Sequence, residues 1–389
     1  MQLPHPPYRR RVPRRGSGAS FATEMKHLKP LLAVSLAAPA LTAFALPALV
    51  ADEVVFRPAV GSEVTKVFTN QMDLILDDMT MSMNGEEMDA SMIGMEMELT
   101  ALTTYVVTDE YVALGDGQPV KLKRTFDELS STSNASGSTP MGPMDEEMDG
   151  SSELEGLSVV FAWDEEDDEY GVEFASDDED DEELLEGLSE DMDLRALLPG
   201  KAVSTDDSWR IDLDLLHHVL APGGNLKVLP DESDEGMGGM GMGAPGSGMG
   251  SLGDMLGELD GSAIATYKGK REVDGVTVGV IAIQIDITGA NDMTEFLEEA
   301  IEDAEGMEDV EVSYDAADVE LAFKGEGELL WNLAGGHLHR FELGGDVNMV
   351  MDMAMSMAVM GSDVEMEMSM EMSGTIELGA ATRNPDDEE

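Results

Sequence analysis

The sequence predicts a mainly β protein: one large, strongly curved antiparallel sheet, half-barrel-like, with one covering amphipathic helix and disordered acidic and Gly/Met loops. Three observations lead there. Methionine recurs at every second residue in two C-terminal runs, Met349, Met351, Met353, Met355 and Met357, then Met366, Met368, Met370 and Met372. Period two marks a strand, because successive side chains point to opposite faces. Further alternating runs are punctuated by turn pairs such as Asn84-Gly85 and Asp116-Gly117, which close two-residue hairpins. Only 291–306 carries a convincing helical period. Long one-sided strands curl as they twist, and the helix then covers the apolar concave face.

Taken in order, Glu63–Met83 puts Val64, Lys66 and Phe68, then Met72, Leu74 and Leu76, then Met79, Met81 and Met83 on alternating positions. The parity slips at Asp77-Asp78, which predicts a β-bulge there. Ile93, Met95, Met97, Leu99 and Ala101 form the return strand. Thr65–Phe68 before this Met-rich hairpin echoes Leu338–Phe341 before the C-terminal one, a weak internal repeat. Tyr105–Leu114 and Val120–Phe126 read as strands, whereas Ser130–Ser152 is Ser/Gly/Pro/Met-rich and predicted disordered. Val159–Trp163 and Gly171–Ala175 flank the acidic turn Asp164–Glu169. Asp177–Met192 is acidic and helical at best from Asp181, and Ile211–Leu220 suits either a strand or a short helix.

The Gly/Met stretch Gly236–Gly250 lies in a second predicted disordered insertion, near 231–252. Ser262–Lys268 and Val276–Thr288 form a hairpin whose second strand is dense in Val and Ile, and therefore central. In the helix, Met293, Phe296, Leu297, Ala300, Ile301 and Ala304 share a face. Asp292 with Glu295 suits a capping box, and Gly306 a left-handed stop. Val310–Tyr314, Asp318–Trp331 and His337–Leu343 lead as a meander into the Met hairpin.

The segment from Met25 has the pattern of a signal peptide: Lys26 and Lys29, an apolar run from Leu31 to about Ala45, then small residues. The expected organisation is a 1–45 extension and signal peptide, one β-rich domain over 52–379, and a disordered tail over 380–389. Export would release a chain free of disulfides, since the sequence has no cysteine. Without residues 1–45 it keeps 15 basic against 81 acidic side chains. Such a surface disfavours nucleic acid and anionic membranes and favours cations or basic partners.

The Leu198-Pro199…Val203…Asp207-Ser208-Trp209 pattern, the Val/Ile-rich hairpin after it and the terminal meander resemble a group of uncharacterised exported bacterial β-rich proteins. The likeness covers about residues 195–378. In shape the expected sheet is also similar to the half-barrels that carry lipids or lipoproteins across the bacterial envelope. Neither resemblance supplies a catalytic residue.

No Gly-x-Ser-x-Gly elbow and no Walker pattern occurs, so the expectation is a protein without catalytic activity or resident cofactor. The Met runs are the candidate ligand face. Met lacks a β-branch and loses much rotamer freedom on burial, so a Met-faced sheet is soft and adaptable. It suits either a loosely specified core or a surface for an apolar or amphipathic ligand or a protein partner. The alternative is a soft-metal protein: Met237, Met240 and Met242 form a Met-x-x-Met-x-Met run, and thioethers select Cu(I). His337 and His339 form a His-x-His pair, and the acidic clusters lack the calcium-loop spacing.

Overall fold

The computed structural model describes residues 51–88, 96–139, 142–176, 179, 181–230, 257–294, 311–359 and 362–383. Among these residues the chain forms fourteen strands. They are β1 (Glu63–Met83), β2 (Glu86–Met88), β3 (Glu96–Gly115), β4 (Gln118–Thr139), β5 (Gly142–Ser151), β6 (Ser158–Asp164) and β7 (Glu169–Phe174). Then come β8 (Ser208–Ile211), β9 (Leu229–Pro230), β10 (Glu258–Val273), β11 (Val276–Asp292), β12 (Glu311–Asn332), β13 (His337–Val359) and β14 (Ser362–Thr382). One short helix, α1 (His217–Leu220), lies between β8 and β9.

All fourteen strands belong to one antiparallel sheet, whose main path runs β7-β6-β4-β3-β1-β14-β13-β12-β11-β10-β8. The two ends of that path do not pair, so the sheet is open. A 21-residue strand such as β1 spans about 70 Å at ~3.3 Å per residue. The two hairpins that echo each other in sequence are neighbours. Phe68 and Phe341 both pair with Ala380, from either side of β14.

The curvature follows from a short tether. Residues 52–57 lead into β1. Tyr267 on β10 donates to Asp52 Oδ2 at 2.7 Å, and Phe56 stacks edge-on against Tyr111 of β3 at 5.6 Å. Between these strands lie six inter-strand steps, about 29 Å in a flat sheet. Four residue steps reach at most about 14 Å. One short lead thus touches strands far apart in the sheet order, and the sheet curls around it. Trp331 of β12 donates to the Val55 carbonyl at 3.1 Å from within the curl.

Glycine permits the curl on the central strands. A Cβ on Gly374 of β14 would lie 1.8 Å from the Asp73 carbonyl oxygen, and one on Gly345 of β13 would lie 2.2 Å from that of Lys324. Only a residue without a side chain allows backbones to approach so closely. The hairpin turns use the same freedom. Asn84-Gly85, Asp116-Gly117 and Asp274-Gly275 all have positive φ at both positions, the type I′ geometry whose twist matches the strands.

The core lies on the inner parity of the strands. Ile281, Ile283, Ile285 and Ile287 of β11 are buried, while Gln284, Asp286 and Thr288 between them are exposed. The bulge expected near Asp77 is present, as the β1–β14 register shifts between Leu76 and Asp78.

Several expectations need correction. The stretch 130–152 is a hairpin, not a disordered insertion: Ser130–Thr139 of β4 pairs residue by residue with β5. Its polar residues bury little, but β3 offers a preformed edge, with Glu96–Thr104 paired to Ser130–Ser138. Backbone pairing replaces the apolar burial that composition says is missing. The strand β14 runs to Thr382 and Arg383 N donates to the Thr65 carbonyl at 2.9 Å, so 380–382 belongs to the sheet and not to a disordered tail. Where the sequence allowed a helix from Asp181, Glu182–Leu185 makes one 3₁₀ turn, and of the two readings open for Ile211–Leu220, Ile211 ends β8 while Leu213–Leu215 and α1 are helical.

Asn291 and Asp292 end β11, so the expected helix starts later, with Asp292 Oδ1 accepting from Thr294 N at 3.0 Å. The other residues of the expected helix, the Gly/Met insertion and the 1–45 extension lie outside the described residues.

Candidate functional site

The methionine runs converge because the two hairpins sit side by side. Met370 of β14 pairs with Met79 of β1 on one side and Met351 of β13 on the other. Met368 likewise lies between Met81 and Met353, and Met366 between Met83 and Met355. Three rows of three thioethers thus cross adjacent strands in register. Met372 continues the ladder toward the middle of the sheet, between Leu76 and Met349. Directly opposed side chains in a ladder have Cβ atoms about 4.5–5.5 Å apart, so each row is one contiguous sulfur-rich surface.

Burial along this ladder is graded. Met349, Met351, Met353, Met368, Met370 and Met372 are buried within the main core. Met81, Met355 and Met366 are half-buried, and Met83 beside the Asn84-Gly85 turn is 37 % exposed. Met357 pairs with Val364 through the backbone. Met237, Met240 and Met242 lie outside the described residues. On the opposite face of the same strands stand Asp352, Glu367, Glu371 and Thr80, all exposed. The apolar ladder therefore faces inward and an acidic surface faces out.

The other end of the sheet, its base, is organised by charge, and no motif announced it. Lys66, Asp109 and Arg124 occupy inner positions of β1, β3 and β4 and are fully buried. Asp109 pairs directly across the ladder with Arg124. Arg124 grips it with two bonds, Nε to Oδ1 at 2.8 Å and Nη2 to Oδ2 at 3.0 Å. Lys66 Nζ lies 2.8 Å from Asp109 Oδ2 and 2.9 Å from Asp193 Oδ1. Tyr111 donates to both Asp193 oxygens, at 2.9 and 2.8 Å.

Asp193 belongs to a non-strand segment, Ser189–Arg195, laid across β4, β3 and β1. Arg124 also donates to the Ser189 carbonyl at 2.9 Å and the Glu190 carbonyl at 2.8 Å. Arg195 binds Glu190 and, at 3.2 Å, Asp191, and its guanidinium covers the Phe56 ring at 5.3 Å. Removing these charges from water costs several kcal/mol per ion, and dense pairing offsets that cost.

The protonation states follow the pairing. Burial raises the Asp109 carboxyl, but Arg124 and Lys66 more than offset it and hold the group at about 2. Burial lowers Lys66, yet Asp109 and Asp193 leave its ammonium above the usual range. Burial pushes the Glu190 carboxyl up to about 7 against the opposing charge of Arg195, with Asp191 adding to the rise.

The remaining polar candidates are scattered. Ser189 Oγ lies 3.0 Å from His218 Nδ1, a pairing the sequence concealed because 29 residues separate the partners. His337 Nδ1 lies 2.6 Å from the Leu338 carbonyl oxygen, and burial holds its imidazole below the usual range. The β12–β13 register skips His339 between Leu330 and Trp331, which interrupts the His-x-His alternation. Among the described residues no group of three or more His, Asp or Glu is arranged to hold a metal ion.

Comparison with protein-family models gives no match, and no curated protein matches the chain. Among solved structures, the outer membrane protein OprG from Pseudomonas aeruginosa aligns at 7 % identity over 84 % of this chain and 99 % of that one, with a TM-score of 0.19. A likeness at that score carries no argument about this protein. No helix among the described residues is long and apolar enough to cross a membrane.

Proposed function

We propose that this chain is an exported, non-catalytic binding protein that takes an apolar or amphipathic ligand on the Met-lined inner face of its curved sheet. The observation that supports it is the graded ladder: nine methionines in three in-register rows, buried toward the middle of the sheet and accessible toward the Asn84-Gly85 end. Unbranched thioether side chains re-form around different shapes at small cost. The acidic, exposed outer face keeps the same strands in water and leaves the inner face as their apolar surface.

Titration of the 52–389 chain with a fluorescent fatty-acid analogue tests the proposal. Saturable binding that weakens at least tenfold when Met351, Met353, Met368 and Met370 are all replaced by Ile is the expected result. Wild-type protein that binds no such probe, and that yields no co-purified lipid in native mass spectrometry, would sink it. A parallel Cu(I) titration, with and without Gly236–Gly250, separates the soft-metal alternative: sub-micromolar affinity lost with that loop would replace the apolar ligand by a metal.

A further inference from the structure

The segment Ser189–Arg195 is held to the sheet chiefly by side chains. Its backbone joins no strand ladder, and Leu194 sits in the left-handed region at φ 57°. The docking contacts come from Arg124, Lys66 and Tyr111, with Met192 and Leu194 buried beneath. A segment fastened this way can open without unzipping the sheet.

Its charges do not balance. Three cations, Lys66, Arg124 and Arg195, meet four acids, Asp109, Asp191, Asp193 and Glu190. The first three acids each bind a cation or several donors. Glu190 is the fourth: its Oε2 meets Arg195, while Oε1 is buried with no hydrogen-bond partner among the described residues. The residue is 4 % exposed. An ionised carboxylate with a buried, unpartnered oxygen is costly, and a proton removes the surplus charge.

We propose that Ser189–Arg195 is a proton-controlled latch: it stays docked across β4, β3 and β1 while Glu190 is protonated, and loosens when that proton leaves. The groups that act on Glu190 come from every side. Arg195, Asp191 and Asp193 share its segment, Arg124 faces it from β4 and Tyr170 from β7. Lys66 and Tyr111 reach it through Asp193, and His218 approaches Asp191 from α1. His337, at the start of β13, feels the charges of Asp193 and Lys66.

Burial raises Glu190 from the ordinary 4.5 to about 7. Its contribution to docking is therefore complete below about 4.5 and is lost as pH rises through about 7. Between pH 5.5 and 8.5 the opening constant of the latch should rise roughly thirtyfold, given a carboxyl that titrates normally once undocked.

Hydrogen exchange of the full chain, corrected for intrinsic rates, reads this directly. Peptides covering 189–197 should lose protection with a midpoint near neutrality, while peptides from β12 and β13 stay unchanged. The substitution Glu190→Gln should abolish the pH dependence and keep the segment protected at pH 8.5. Wild-type protection of 189–197 that is flat over this range, or that falls only together with β12 and β13, overturns the latch whether or not the variant folds. An identical pH profile in folded Glu190→Gln overturns it as well.

Discussion

At one end of β1, Lys66 is clamped between Asp109 and Asp193 with every partner at hydrogen-bond distance. Toward the other end of the same strand, Met79 and Met81 meet Met370 and Met368 with no polar group in the rows. The two ends share a sheet and an inner face, yet they differ in what fixes their side chains. The base is a directional network in which each group needs its particular partner. The ladder is a dispersion contact among interchangeable, unbranched side chains. Specificity of fold therefore concentrates at the base, and adaptability at the ladder. Glycines 345 and 374, where backbones nearly touch, lie on the strands between these regions.

The sharpest way to test this contrast is to break one partnership at the base. Asp109→Asn leaves Lys66 and Arg124 buried beside a neutral amide and should destabilise by about 3–5 kcal/mol in urea unfolding. A cost under ~1 kcal/mol would mean that the network is dispensable. Acid should act next, and locally. The stability contributed by Asp109 is present above about 3.8 and lost as pH falls through about 2. Exchange protection at Ser189–Arg195 should thus fall before that of the Met rows on acidification, a sequence that hydrogen exchange resolves.

At the ladder, single Met351→Ile or Met370→Ile changes should alter stability by less than about 1.5 kcal/mol, because volume is nearly conserved and the neighbours can adjust. A loss of about 3 kcal/mol would instead reveal a tightly interlocked core. The smallest effect belongs to the outer face. Lys324 and Asp286 lie 3.4 Å apart but both are mostly exposed, so Lys324→Ala should change the unfolding midpoint by no more than the equivalent of ~0.5 kcal/mol.

Much of this architecture was legible in residue order. Alternation and turn pairs predicted the strands, the bulge near Asp77 and the central Val/Ile strand, because each depends on neighbours within a few residues. The hairpin at 130–152 was missed for the opposite reason. Nothing local stabilises a Ser-rich strand, and its pairing depends on the edge of β3. The charged base left a faint trace: Lys66 stands between Val64 and Phe68, Asp109 between Val107 and Tyr111, and Arg124 between Leu122 and Phe126, each a charge on an otherwise apolar parity. Singly, each resembles an exposed edge residue; that the three meet requires knowing which strands are neighbours.

The sequence alone determined the period-two strands, their inward apolar parity and the two methionine runs, since side-chain direction in a strand is set by backbone geometry residue by residue. Only the tertiary structure decided that β1 would lie beside β14 and so align its own methionines with the two C-terminal runs in three rows. It likewise decided that residues 189–195 would cross β4, β3 and β1 and bring four acids to three cations. Contacts between residues far apart in the chain depend on which surfaces bury one another when the sheet curls, and no local pattern encodes that choice.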